Sequence, residues 1–392
     1  MPKRIPAPVK PEVLAWARTS ARLNLSDAAR KTKITEEQLS AWEKGDGSPT
    51  IPQLRKLGAA YKRPIAVFFL PEPPKDFSPQ KEFRRLPGEA PGTESPELVQ
   101  AIRKAYYQRA AAIELSEILS TPPHTIEEQL HPNLNQEQAG AYIRDSLGVS
   151  WENQINWPSP HAALAAWRTA IEAKGILVFQ TGDAPLREMR GTCIPDQPFP
   201  IILINSKDAP HGRVFTLIHE YVHVLMHAAG HQTSRMEGMR SPEEQKLEIA
   251  ANAFAAAALL PQTPFLKLAE KYPAANHGDD NALRLLSQRV KVSPEGVLRR
   301  LVTLRKSQQS TYRHKRDSWG NKVWYVKTGT GGAIPQHVKV LSRDGRGFAR
   351  MVFDAYDRRL ISTSAASDYL GTKPTHFANI RQELSVGPGS SR

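Results

Sequence analysis

The stretch Val214-Phe-Thr-Leu-Ile-His219-Glu220-Tyr221-Val222-His223-Val-Leu-Met-His227 contains neither proline nor glycine. Its apolar residues surround a polar stripe, which predicts a buried helix. His219 and His223 are four residues apart, so their imidazoles share one helical face and lie close enough to hold a single metal ion. Glu220 is rotated by about 100° from His219 and can reach a water beside that ion without ligating it. Upstream, Phe199-Pro-Ile-Ile-Leu-Ile-Asn205 is a short apolar run that reads as a buried strand.

This is the His-Glu-x-x-His spacing of zinc metallopeptidases, whose catalytic ion takes three protein ligands and keeps one position open. A histidine six residues after His223 would supply the third ligand in one branch of these enzymes, but that position is Ala229. His227 extends the row of histidines, yet it lies a further turn along the helix. Glu243, Glu244 and Glu248 are the better candidates. Of these, Glu248 heads Glu248-Ile-Ala-Ala-Asn252-Ala-Phe254-Ala-Ala-Ala-Ala-Leu-Leu260-Pro261, a small-residue helix able to pack closely on the histidine helix. Asn252 shares a face with Glu248 and is a candidate to support it from behind. His211, Arg213, Tyr221 and His227 are candidates for stabilising an oxyanion. Cys193 falls in an irregular stretch and is assigned no role.

The chain has 392 residues, 40% hydrophobic and 23% charged, enough apolar material for roughly two to four globular domains. One cysteine excludes a disulfide scaffold. The basic start Met-Pro-Lys-Arg is not followed by an apolar h-region, and Ile65–Leu70 and Ala253–Leu260 fall far short of the ~20 residues of a membrane span. The expected location is the cytoplasm, with no membrane partner. A net charge of +14 favours contact with polyanions such as DNA.

Seven prolines between Pro71 and Pro96 predict an extended linker. The expected organisation is a helix-turn-helix domain over 1–70, a linker over 71–96, a metallopeptidase domain over 97–308, a small C-terminal domain over 309–386 and a disordered tail over 387–392. In the first of these, Val13–Leu23 is amphipathic, Ser26 is expected to cap Asp27–Thr32, and Thr35 to cap Glu36–Lys44 with Gln38 in a capping-box position. Gly45 ends that helix and Pro52–Tyr61 makes another. In the C-terminal region Trp319, Trp324 and Tyr325 read as β-like, followed by a helix over Gly347–Asp357. Two short helices, Ser364–Leu370 and Pro374–Leu384, then flank Gly371 as a possible second helix-turn-helix.

Leu25-Ser-Asp-Ala-Ala-Arg30, Leu39-Ser-Ala-Trp42-Glu43-Lys-Gly45 and Pro49-Thr50 resemble the XRE (Cro/CI-like) helix-turn-helix domain. The resemblance implies that the helix starting at Thr35 enters the DNA major groove, with Thr35, Gln38, Ser40 and Lys44 as contacts. Glu36 and Glu37 depart from that role, since phosphates repel them. Arg190-Gly191, Ile202–Asn205, the segment Phe215–His223 and Glu248-x-x-Ala-Asn-x-Phe-Ala-Ala with Leu-Pro261 resemble the ImmA/IrrE family of metallopeptidases over about Leu164–Leu304. Leu260 replaces that family's methionine before the proline.

The resemblance implies Zn2+ held by His219, His223 and Glu248, with Glu220 as general base. It also implies a mainly α fold with a small β-sheet: a helix-turn-helix domain, an α+β zincin-like domain and a small C-terminal α/β region. The activity implied is that of a regulator cleaving one specific protein, such as a transcriptional repressor. The alternative is a non-proteolytic DNA-binding regulator or antitoxin that uses the peptidase fold to dock a toxin partner.

Overall fold

The computed structural model describes residues 6–74, 95–123, 125–231, 242–319 and 334–385. Its described residues divide into two compact units. The first holds those up to Lys104 and Asp183–Glu188; the second holds Ala105–Gly182 and the described residues from Met189 onward.

The first unit contains α1 (Pro11–Ser20), α2 (Leu25–Thr32), α3 (Glu36–Lys44), α4 (Ile51–Tyr61) and a 3-10 turn over Ile65–Phe69. Leu14, Leu39, Trp42, Leu54, Tyr61 and Phe68 form its core. Asn24, not Ser26, caps α2. Its Oδ1 accepts from the Asp27 N–H at 2.7 Å, because Asn24 has the extended backbone of a cap whereas Ser26 is already inside the first turn. Thr35 caps α3 by accepting from the Gln38 N–H at 3.3 Å. Arg18 explains the glutamate that follows buried Trp42. Its guanidinium donates twice to the Glu43 carboxylate, both at 2.7 Å, and once to the Leu23 carbonyl at 2.8 Å. The helix α5 (Pro96–Ile118) runs through the division at Lys104, and Pro96 is its first residue rather than the end of a linker.

The second unit continues with α6 (Gln136–Leu147), α7 (Trp151–Asn156) and α8 (Pro160–Glu172), followed by β1 (Leu177–Thr181), β2 (Gly191–Ile194) and β3 (Ile201–Asn205). It then runs through α9 (Pro210–Ala228), α10 (Pro242–Leu259), α11 (Gln262–Ala269), α12 (Asp280–Val290), α13 (Pro294–Thr303) and α14 (Gln309–Trp319). Four more helices close it: α15 (Gln336–Asp344), α16 (Arg346–Asp357), α17 (Thr363–Leu370) and α18 (Phe377–Ser385). The chain is mainly helical with one small mixed sheet, in the order β1-β3-β2. Leu177 pairs with Ile201 in the parallel half, and Gly191 with Ile204 in the antiparallel half. Cys193 is therefore not in an irregular stretch: it sits in β2 opposite Ile202. Helix α9 packs on β2 and β3, and α8 packs beside it on β1.

The described C-terminal residues contain no strand. Trp319 closes α14, where its indole N–H donates to Asp280 at 3.1 Å; Trp324 and Tyr325 lie outside the described residues. The two short helices read around Gly371 are α17 and α18, with Gly371 left-handed at φ 52°.

Helix α10 is held hard at its C-terminal end, where the carbonyls have no partner within the helix. Arg144 donates to the Ala258 carbonyl at 2.7 Å, Gln154 to Leu259 at 2.9 Å, and Arg300 to Leu260 at 2.9 Å. Arg300 is itself buried and forks onto Glu137 at 2.6 and 2.8 Å. Burial pulls Arg144 down to about 10, still well above neutrality, so two cations face the negative end of the α10 dipole. On the side of α10 that meets α6, a Cβ on Gly140 would stand 2.6 Å from the Ala257 carbonyl carbon and 2.8 Å from the Ala258 nitrogen. The two helices therefore touch backbone to backbone, and a methyl group there forces them apart. Gly140→Ala is expected to lower stability by about 1–3 kcal/mol, read as a drop in thermal midpoint by circular dichroism.

Candidate metal centre

Helix α9 presents His219 and His223 on one face because they are one turn apart, and their Nε2 atoms are 3.1 Å from each other. Glu248 approaches from the second turn of α10, not from its head as the sequence suggested; the helix begins at Pro242. Its Oε1 is 3.1 Å from His223 Nε2 and its Oε2 is 3.6 Å from His219 Nε2. All three donor atoms lie within 4.8 Å of one another, and among the described residues this is the one group of three histidine, cysteine or carboxylate side chains so arranged. Tetrahedral zinc with bonds of about 2.0–2.1 Å spaces its ligand atoms about 3.3 Å apart. Two imidazole nitrogens and one carboxylate at 3.1–3.6 Å fit that ion without rearrangement.

The surroundings fix these side chains. Glu220 and His223 are buried in the face of α9 that meets the sheet and α10. The Phe215 ring stacks on His219 with centroids 6.2 Å apart and planes 26° apart, one turn before it on the same face. His219 and His223 meet edge to face at 4.7 Å. The backbone of β2 crosses close above. A Cβ on Gly191 would fall 2.3 Å from Thr216 Cγ2, so a larger residue would force that strand off α9, and 3.4 Å from Glu220 Cγ, an ordinary contact. Phe215 and Gly191 fall within the family-like segments of the sequence, where neither carries an evident role. The i−4 spacing could have flagged Phe215, but nothing in the sequence places β2 against α9.

The remaining sequence candidates are not gathered here. Glu243 and Glu244 occupy the first turn of α10, outside the cluster, and His227 lies one turn past His223, also outside it. Asn252 donates to the backbone carbonyl of Glu248 at 2.8 Å and not to its carboxylate. Tyr221 is turned about 200° from His219, and its hydroxyl meets Ser146 Oγ at 3.3 Å. Arg213 donates to Gln180 at 2.8 Å, and His211 stands two turns before His219. In the first unit, Thr35 spends its hydroxyl on the α3 cap. Gln38 and Lys44 are exposed beside Glu36 and Glu37, and Ser40 is half-buried.

Residues 171–302 match the family described as the IrrE N-terminal-like domain, an M78 peptidase domain, and residues 14–68 match a helix-turn-helix family. The chain carries an IrrE N-terminal-like domain. That domain runs from the end of α8 to α13 and contains all three cluster residues, and an XRE-type helix-turn-helix domain precedes it. No curated protein matches the chain.

His211, on the first turn of α9 in the IrrE N-terminal-like domain, sits among like charges. Burial pulls its imidazole from 6.5 down to about 4, and Lys291 and His161 push the same way. Between those two values the unfolded chain binds more protons than the folded one. This share of stability is therefore complete above pH 6.5 and is lost as pH falls towards 4. His211→Gln should flatten the fall of the thermal midpoint across that window, measured by calorimetry against the wild type.

Proposed function

We propose that the chain is a zinc-dependent endopeptidase that acts as a regulator, cutting one specific protein such as a transcriptional repressor. The observation that carries this reading is the convergence of His219, His223 and Glu248 beside buried Glu220. Bound there, Zn2+ supplies Lewis acidity, polarising a carbonyl and making water more acidic. Glu220 takes the proton of the attacking water and hands it to the departing amine. The β2 backbone at Gly191 and the stacked Phe215 restrict how far Glu220 and His219 can swing, which keeps the site organised before substrate arrives. The helix-turn-helix domain supports placing the enzyme at DNA in the cytoplasm, with Gln38 and Lys44 as the α3 side chains free to reach it.

A second reading is a non-proteolytic DNA-binding regulator or antitoxin in which the peptidase domain docks a toxin partner. The net charge of +14 favours its DNA-binding half, while Glu36 and Glu37 on the exposed face of α3 weigh against it. A scaffold, however, has no use for a buried glutamate beside two histidines.

The dialysed wild type is expected to retain zinc by mass spectrometry, and Glu248→Ala to lose it. Glu220→Gln should keep the metal and abolish cleavage. The readout is a comparison of new protein N-termini in cells producing wild type or Glu220→Gln. A terminus made only by the wild type supports the peptidase; identical sets from both sink it. In a gel shift with the DNA upstream of its own gene, Lys44→Ala should weaken binding and reduce the salt slope by about one unit. An unchanged slope removes Lys44 from the interface.

A further inference from the structure

A second pair of histidines meets on the surface of the same unit, far apart in sequence. His131 Nδ1 and His231 Nε2 stand 3.4 Å apart, with ring centroids 5.6 Å apart and planes 89° to each other. That separation exceeds the usual 2.7–3.2 Å of a hydrogen bond from a nitrogen donor. It agrees with the ligand spacing of about 3.3 Å around a tetrahedral ion with bonds of about 2.0–2.1 Å. The corresponding distance at the His219–His223 pair is 3.1 Å.

Backbone bonds to one turn of α9 hold both histidines. His231 follows Gly230, whose left-handed φ of 83° turns the chain back at the end of α9, and its N–H donates to the Met226 carbonyl at 3.1 Å. His131 follows fully buried Leu130, whose N–H donates to the Leu225 carbonyl at 3.2 Å, and its own carbonyl accepts from Leu134 at 3.2 Å. The backbone at both positions is thus anchored at neighbouring carbonyls of α9.

We infer that His131 and His231 form a second binding site for a divalent transition metal ion, separate from the His219–His223–Glu248 cluster. Imidazole nitrogens select Zn2+, Cu2+ or Ni2+ over the oxygen-seeking Mg2+ and Ca2+. Two protein ligands leave coordination positions open to water or to an incoming donor. His231 also lines a cavity of about 740 Å3 whose wall carries Glu243, Lys246 and Leu134, which gives such a donor room. The site binds more weakly than the three-ligand cluster because it has one protein ligand fewer and no charged one. Occupation clips the segment around His131 to the end of the helix that carries His219 and His223.

Zinc titration of the untagged full-length chain against a chromophoric chelator tests this. The wild type is expected to take up two equivalents, one tight and one weaker. His131→Ala and His231→Ala should each abolish the weaker one and leave the tight one. His219→Ala/His223→Ala should do the reverse, so failure of the peptidase reading and failure of this one are separable. Cu2+ added to the His219→Ala/His223→Ala variant should give an electron paramagnetic resonance signal split by imidazole nitrogen, lost when His131→Ala is added to it. Both histidines are at least partly accessible, and circular dichroism of each variant checks that the fold is intact. A wild type that takes up a single equivalent overturns the proposal, and so does a second equivalent that survives both histidine substitutions. The pair is then an imidazole–imidazole contact only.

Discussion

The candidate metal centre depends on α10 being pressed against α9, because its three donors come from two helices and must converge to 3.1–3.6 Å. The second half of α10 is built mostly of alanine and has little side-chain bulk with which to fix its own position. The fixing is done from outside. Gly140 lets α6 come into backbone contact at Ala257, and Arg144, Gln154 and Arg300 bind the carbonyls of Ala258, Leu259 and Leu260 at 2.7–2.9 Å. These are charge-assisted or fully buried bonds, each costly to leave unmade in a protein interior. They determine the axial position of α10, and with it the height at which Glu248 meets the histidines.

The opposite wall is set by the sheet. Strand β3 is buried along its whole length and carries β2 at its side, and the glycine in β2 brings that strand's backbone down onto Thr216 and Glu220. The proposed general base is thereby held between a strand and a helix. The shape of the crevice confines Glu220. At His219 an aromatic ring one turn earlier limits rotation of the imidazole.

The helix-turn-helix unit follows a different logic. Its five short helical segments are ordered by caps and by one core, and the Arg18–Glu43 pair ties the first helix to the third beneath the exposed surface. The residues left facing solvent on α3 are of mixed sign, with Glu36 and Glu37 preceding Gln38 and Lys44. A general binder of phosphate needs uniform positive charge, which this face of α3 does not present.

The sequence alone determined the periodic and short-range features. The histidine pair and Glu220 follow from helical spacing, β3 from an unbroken apolar run, and the α3 cap from a threonine before a polar turn. Even where short-range chemistry decides, competition can mislead, as when Asn24 rather than Ser26 took the α2 cap. Helices α5 to α8 and strands β1 and β2 were not read, because their patterns carry no motif and their burial depends on neighbours distant in the chain. Three glutamates are open as the third ligand on spacing alone; the small-residue helix after Glu248 singles it out, and the family resemblance implies the same residue. Only the tertiary structure brought Glu248 to the histidines, set Gly191 against Glu220 and placed His131 beside His231, 100 residues away. The physical reason is that spacing along one helix fixes which side chains share a face. What stands opposite that face is decided by the packing of the whole unit, through contacts no local pattern encodes.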